Sequence, residues 1–184
     1  MNSDTKKILK LTFILFLICA ITAGILGVVN EVTKDRIYMQ KNAKTIEAYS
    51  VVLASDRYEE VEFDKAAFPT VDVVSKADNG AGYVVQSTFS GAQGSITMVV
   101  GVDNDYKCTG ISIIEHSETS GLGANAASTG EVGVKFREQF IGQDESIALA
   151  NAGGSIDALT GATITSRAIT EAVATSIQAV KSLG

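Results

Sequence analysis

Residues 11–30 carry no charge: Lys10 and Glu31 are the charged residues that bracket them. Twenty residues at a helical rise of about 1.5 Å each cover about 30 Å, the thickness of a bilayer's hydrocarbon core. This segment predicts an apolar helix long enough to span a membrane, and it leaves about 154 residues for a single well-buried core. The expected architecture is α+β: a single N-terminal transmembrane helix, then one compact domain in which helices pack an antiparallel sheet. The expected divisions are a cytoplasmic tail at 1–10, an anchor at 11–30, a stalk helix at 31–54 and the folded domain at 55–184.

An uncleaved signal anchor is the expected use of the span. A cleaved signal peptide needs a shorter apolar core and small residues at a cleavage site, for which Ala20, Thr22 and Gly24 are the available candidates. Ile18 stands where a small residue precedes a lipidated cysteine, which argues against lipidation at Cys19. Charge leaves the orientation open, since Lys6, Lys7 and Lys10 precede the span while Lys34, Arg36, Lys41 and Lys44 follow it. A short N-terminal tail is easily retained, which favours a cytoplasmic N-terminus and an extracytoplasmic domain. The span holds no ionisable group beyond Cys19, so it offers no ion path of its own.

Beyond the span the chain is acidic. Residues 31–184 hold 12 basic and 20 acidic side chains, without a basic stripe. Nucleic-acid binding, which rests on neutralising phosphates, is excluded as a function class. Cys19 lies in the apolar span and Cys108 far from it, with no C-x-x-C present. The chain therefore has neither a disulfide framework nor the spacing for an iron–sulfur or zinc site, and redox chemistry would need another cofactor.

Residues 31–54 contain no Gly or Pro and continue the helix, with Val32, Ile46, Tyr49, Val52 and Leu53 as apolar positions. Residues 56–69 read as acidic and irregular. A short strand is expected at 71–75, and runs rich in Val, Ile, Thr and Tyr predict an antiparallel meander at 83–89, 95–102 and 110–116. Asp103, Asn104 and Asp105 suit a tight turn and lack the glycine and terminal glutamate of a calcium loop. Residues 117–130 form a Gly/Ser/Ala-rich loop long enough to suggest function. Helices are expected at 131–140 and 166–181, the latter amphipathic through Ala168, Ile169, Ala172, Val173, Ile177 and Val180.

Two segments carry chemistry. In the first, Asp157 precedes Thr160, Gly161, Ala162 and Thr163, with Thr165 and Ser166 following, all just ahead of the last helix. Small residues let a ligand approach the backbone, and a helix N-terminus offers open N–H groups to an anion. The hydroxyls add donors or a point of covalent attachment. The simpler reading of the same stretch is that Thr165 or Ser166 caps the helix. In the second segment, His116, Glu118, Thr119, Gly121, Leu122 and Gly123 follow the third strand of the meander. His116 and Glu118, two apart, project to one side of an extended chain. A lone histidine at a strand end is more often structural than a base, and no nucleophile-elbow sequence supports a hydrolase.

Taken together, these motifs resemble the covalent-flavin (FMN-binding) domain family, found in the G subunit of the Rnf complex and the C subunit of the sodium-translocating NADH:quinone reductase. The run Thr160–Thr163 with its flanking Asp157, Thr165 and Ser166 is similar to the family's flavinylation motif. The second signature comprises Val99, Val100, Gly101, Val102 and Asp103, then Gly110, Ile111 and the His116–Gly123 segment. The resemblance covers about residues 80–175, and the anchor stands where the family has one. One departure is Ser120, where family members commonly have proline, leaving the loop less rigid before Gly121 at a cost below about 1 kcal/mol.

The resemblance implies FMN joined through its phosphate to the hydroxyl of Thr163, by a separate flavin transferase that uses FAD. It implies that Glu118, Thr119, Leu122 and Gly123, with His116 nearby, lie against the flavin. Thr160, Gly161, Ala162, Thr165 and Ser166 would surround the phosphate, and Asp157 would orient the loop or assist attachment. The chain's compactness suits the Rnf protein, an electron carrier at the cell (inner) membrane among other membrane subunits of a complex that couples ferredoxin:NAD⁺ electron transfer to Na⁺ or H⁺ export. The alternatives are the C-type component of the quinone reductase and, from a different class, an anchored domain that binds a ligand noncovalently.

Overall fold

The computed structural model describes residues 3–184, without the side chains of residues 3–9, 11, 25 and 28–43. The chain divides into two compact units, 1–43 and 44–184. Helix α1 (Ser3–Val52) supplies the first unit and the opening of the second.

In the first unit, six consecutive apolar residues from Phe13 to Ile18 are exposed, as are Ile21 and Leu26. Successive helical residues turn by about 100°, so six of them place apolar surface on every side of the axis. The Thr22 hydroxyl is bonded within the helix, at 3.0 Å from the carbonyl oxygens of Ile18 and Cys19. Among the described residues, no helix is long and apolar enough to cross a membrane. The side chains of Leu11, Ile25, Val28, Val29 and Asn30, which belong to the expected span, lie outside the described set.

The second unit is built on a five-stranded antiparallel sheet: β1 (Tyr58–Val61), β2 (Val71–Ala77), β3 (Gly82–Ser90), β4 (Ser95–Asp103) and β5 (Cys108–His116), in sequential order. Neighbouring residues of the central strands are buried on opposite faces. Val85 and Val100 belong to the main core, whereas Val84 and Val99 belong to a second cluster with Ala48, Tyr49, Val52 and Leu53 from the end of α1. Coverage of both faces explains why β4 reads as a nearly continuous apolar run. Gly101 and Gly110 lie where the end of α1 crosses the sheet, and a Cβ on Gly101 would overlap the Val52 carbonyl oxygen. The Thr109 hydroxyl donates to that oxygen at 2.6 Å, satisfying one of the open carbonyls at the helix end.

The main core lies between the sheet and α3 (Thr163–Lys181), whose Ile169, Val173 and Ile177 are fully buried with Val71, Ile96, Met98 and Val102. Helix α2 (Glu131–Glu138) adds Phe136, which meets Phe140 edge to face at 5.3 Å between centroids. The acidic stretch expected to be irregular contains β1, paired with β2 from Tyr58↔Ala77 to Val61↔Val74. Its Glu59 and Glu60 are exposed, as charged side chains on a sheet edge commonly are.

Candidate functional site

The antiparallel order determines which loops meet. The turn between β3 and β4 and the exit of β5 share one end of the sheet, because Ile96 near the start of β4 pairs with His116 at the end of β5. The N-terminus of α3 arrives at the same end. Between these segments lies a cleft of about 350 Å³. Ala92 and Gln93 line it from the β3–β4 turn, Glu118, Thr119, Leu122 and Gly123 from the loop after β5, and Gly161 through Thr165 from the start of α3.

The start of α3 is shaped by a turn. Gly161 has φ +73°, a conformation that favours glycine, and a Cβ there would press on the Leu122 side chain at 3.0 Å. The Ala162 N–H closes the turn on the Leu159 carbonyl at 3.0 Å. Ser166 staples it from inside: its hydroxyl donates to the Ala162 carbonyl and accepts the Leu159 N–H, both at 3.0 Å.

The helix begins three residues earlier than its apolar periodicity suggests, at Thr163, with Ala162 as N-cap and no side-chain cap bond. Neither Thr165 nor Ser166 is the cap. The first intrahelical bond runs from the Ser166 N–H to the Ala162 carbonyl at 2.9 Å. The N–H groups of Thr163, Ile164 and Thr165 precede it and remain open, at the positive end of the helix dipole. The Thr163 side chain is exposed at this end.

The opposite wall is held by Glu118, a buried carboxylate. Its Oε1 accepts the Gln93 N–H at 3.0 Å and its Oε2 accepts the Thr165 hydroxyl at 2.5 Å. Burial pushes its pKa up, but the hydrogen bonds from Thr165, Gln93 and Ala92 and the field of His116 outweigh it, so the carboxyl stays below the usual range. The loop beyond is fixed by Arg137, whose guanidinium donates to the Ala126 and Ser128 carbonyls at 2.6 and 2.9 Å.

Of the residues singled out in the sequence, the structure brings Glu118, Thr119, Leu122, Gly123, Gly161, Ala162, Thr163 and Thr165 to the cleft. Thr160 and Asp157 are exposed outside its lining; Gln139 brackets the Asp157 backbone, its side-chain oxygen accepting the Asp157 N–H at 2.8 Å. Ser166 is fully buried beneath the cleft. His116 lies outside the lining too, its Nδ1 accepting the Glu118 N–H at 3.3 Å. Ala92, Gln93 and Ile164 complete the cleft without having been singled out, since nothing in their chemistry marks them. Cys108 takes no part: burial pushes its thiol up to about 12.

These residues fit a flavin mononucleotide. Three open N–H groups suit a phosphate, the Thr163 hydroxyl stands beside them, and exposed Leu122 and Ile164 offer apolar surface to a ring. The class this defines is an FMN-binding domain, and residues 91–178 match the FMN-binding domain family. Residues 1–52 match the RnfG N-terminal region. The G subunit of an ion-translocating oxidoreductase complex from Methanosarcina acetivorans is 33% identical over 97% of both chains. The G subunit of the Na⁺-translocating ferredoxin:NAD⁺ oxidoreductase complex of Acetobacterium woodii is 32% identical over 98% of this chain and 95% of its own. The chain belongs to this G-subunit family. Among solved structures, the C subunit of the Na⁺-translocating NADH-quinone reductase from Parabacteroides distasonis is 25% identical, with a TM-score of 0.47 over 64% of each chain.

Proposed function

We propose that this chain is a membrane-anchored flavoprotein that carries electrons within an Rnf-type complex, with FMN attached through its phosphate to Thr163. The observation that carries the reading is the position of Thr163: an exposed hydroxyl on the first residue of an uncapped helix, at the edge of a cleft, in a chain matched to the FMN-binding family. When bound, FMN supplies one- and two-electron transfer. The chain's own part is to hold and orient. The N–H groups of Thr163, Ile164 and Thr165 would donate to phosphate oxygens, Gly161 forms the turn that presents them, and Leu122 and Ile164 would offer apolar contact.

Attachment needs a flavin transferase and FAD. The Thr163 hydroxyl oxygen forms the new bond to phosphorus, the phosphoanhydride bond of FAD breaks, AMP leaves, and the hydroxyl proton passes to solvent. Asp157 orients the preceding turn or assists this step. No residue needs to act as a base during electron transfer, so the protein is a carrier rather than a catalyst by itself.

The membrane reading rests on the uncharged stretch 11–30 and on the apolar surface around every side of its described part. The proposed arrangement is a cytoplasmic tail at 1–10, an anchor at 11–30, a stalk at 31–54 and an extracytoplasmic FMN domain at 55–184. The partners are the other membrane subunits, the flavin transferase and lipid. The relatives are named for different ions, Na⁺ in Acetobacterium woodii and protons in Clostridium ljungdahlii, so either ion is compatible with the family.

The test is in-gel fluorescence after denaturation, with wild type and Thr163→Val each co-expressed with a flavin transferase. A fluorescent wild-type band that is absent from the variant is expected. A dark wild-type band, with the transferase active on a control substrate, would overturn covalent attachment.

A further inference from the structure

The Glu118 carboxylate reaches two segments remote in sequence, 25 residues before it at Gln93 and 47 residues after it at Thr165. The space it occupies is reserved. A Cβ added to Gly91 would overlap Oε1, and one added to Gly123 would overlap Oε2 and crowd the Thr165 hydroxyl. Both carboxylate oxygens are engaged by donors from the surrounding chain, and the acid is held in its charged form. We propose that Glu118 is a positioning residue, whose carboxylate clasps the β3–β4 turn to the first turn of α3 and so sets Thr163 at the mouth of the cleft.

The geometry of the helix links the two threonines. Residues two apart on a helix point about 200° away from each other around its axis. Drawing Thr165 inward to Glu118, where it is 1% exposed, therefore turns Thr163 outward, where it is exposed. A direct role in gripping FMN fits Glu118 less well: a carboxylate repels a phosphate, and neither of its oxygens is without a partner. The inference rests on the reading of Thr163 as the attachment point, and the experiment separates the two.

Full-length chain in detergent is supplied with FAD and a flavin transferase, and the initial rate of attachment is read by in-gel fluorescence. Amide hydrogen exchange of the same chain before attachment reports the clasp independently. Glu118→Ala is expected to slow attachment about tenfold or more, as misplacement of a reacting group does, with faster exchange at residues 92–93 and in the first turn of α3. Glu118→Gln keeps an acceptor for Gln93 and gains a donor for the Thr165 oxygen, so its rate should stay within about threefold of wild type. A wild-type rate in Glu118→Ala overturns the proposal. So does a Glu118→Gln variant as slow as Glu118→Ala with unchanged exchange, which would assign the charge a direct role. Should Glu118→Ala fail to fold, Thr165→Val decides: slowed attachment with faster exchange supports the clasp, and wild-type behaviour overturns it. If wild type itself takes no flavin, attachment at Thr163 falls, and exchange in the variants still decides whether the clasp exists.

Discussion

The two walls of the cleft differ in whether their polar groups are already used. On the Glu118 wall, the carboxylate binds Gln93 and Thr165, and two glycines make room for it. At the start of α3, where no side chain caps the helix, three backbone N–H groups are open and Thr163 lines the cleft. Polar groups with satisfied bonds hold a structure in place, whereas groups left open near the surface are available to a ligand. The contrast teaches where to expect stability effects and where to expect functional ones. Loss of the Thr163 hydroxyl should remove covalent flavin and leave the fold intact, whereas changes on the saturated wall should be felt in folding first.

Gly123→Ala gives the largest expected stability effect. The added methyl meets Glu118 Oε2 and the Thr165 hydroxyl at once, in a residue that is itself buried. Overpacking of this kind costs about 1–3 kcal/mol, which lowers the melting temperature by about 2–4 °C per kcal/mol in a domain of this size. An unchanged melting curve would show that the saturated wall yields easily, and the contrast between the walls would lose its basis.

Ser166→Ala comes next. The serine holds the Leu159–Ala162 turn, and without its hydroxyl the Leu159 N–H is left without a partner in a buried setting. The expected loss is about 1–2 kcal/mol by denaturant titration, with flavin attachment reduced only as far as the turn loosens. Loss of attachment at full stability would mean that Ser166 acts on the phosphate directly.

Legibility in the sequence followed the same division. Strands β2 to β5 announced themselves through β-branched runs, and the apolar face of α3 through its 3.6-residue period. Strand β1 did not, because Tyr58, Glu59, Glu60 and Val61 show no alternation; their pairing is dictated by β2. The first turn of α3 was hidden because Thr163, Ile164 and Thr165 are β-branched residues of modest helix propensity. Both chemical motifs were visible, but their meeting with Ala92 and Gln93 depends on the β4–β5 register, which no local pattern encodes. The role of Glu118 was hidden for the same reason: its partners are 25 and 47 residues away.

Acid sharpens the comparison with a smaller effect. The folded pKa of Glu118 lies below its ordinary value, so its charged form stabilises the fold fully above the unfolded pKa of about 4.3 and less as pH falls through the lower folded value. Wild type should lose stability on acidification in that window, and Glu118→Gln should lose less of it. Parallel curves for the two proteins would show that the carboxylate's charge contributes nothing to the clasp.

The smallest effect belongs to a carboxylate whose pKa is also low. Asp144 is held down by the Lys107 ammonium at 2.8 Å and by the Ser146 hydroxyl and N–H, yet both ion-pair side chains are 41% exposed. Glu118 is shielded from water, but Asp144 is screened by it, and exposed ion pairs contribute little to stability. Asp144→Asn should leave the melting temperature nearly unchanged at physiological salt, and any difference from wild type should shrink further as salt is added. A drop comparable to that of Gly123→Ala, insensitive to salt, would mean that a low carboxylate pKa marks structural importance regardless of burial. Burial and shared partners, rather than the pKa itself, set Glu118 apart.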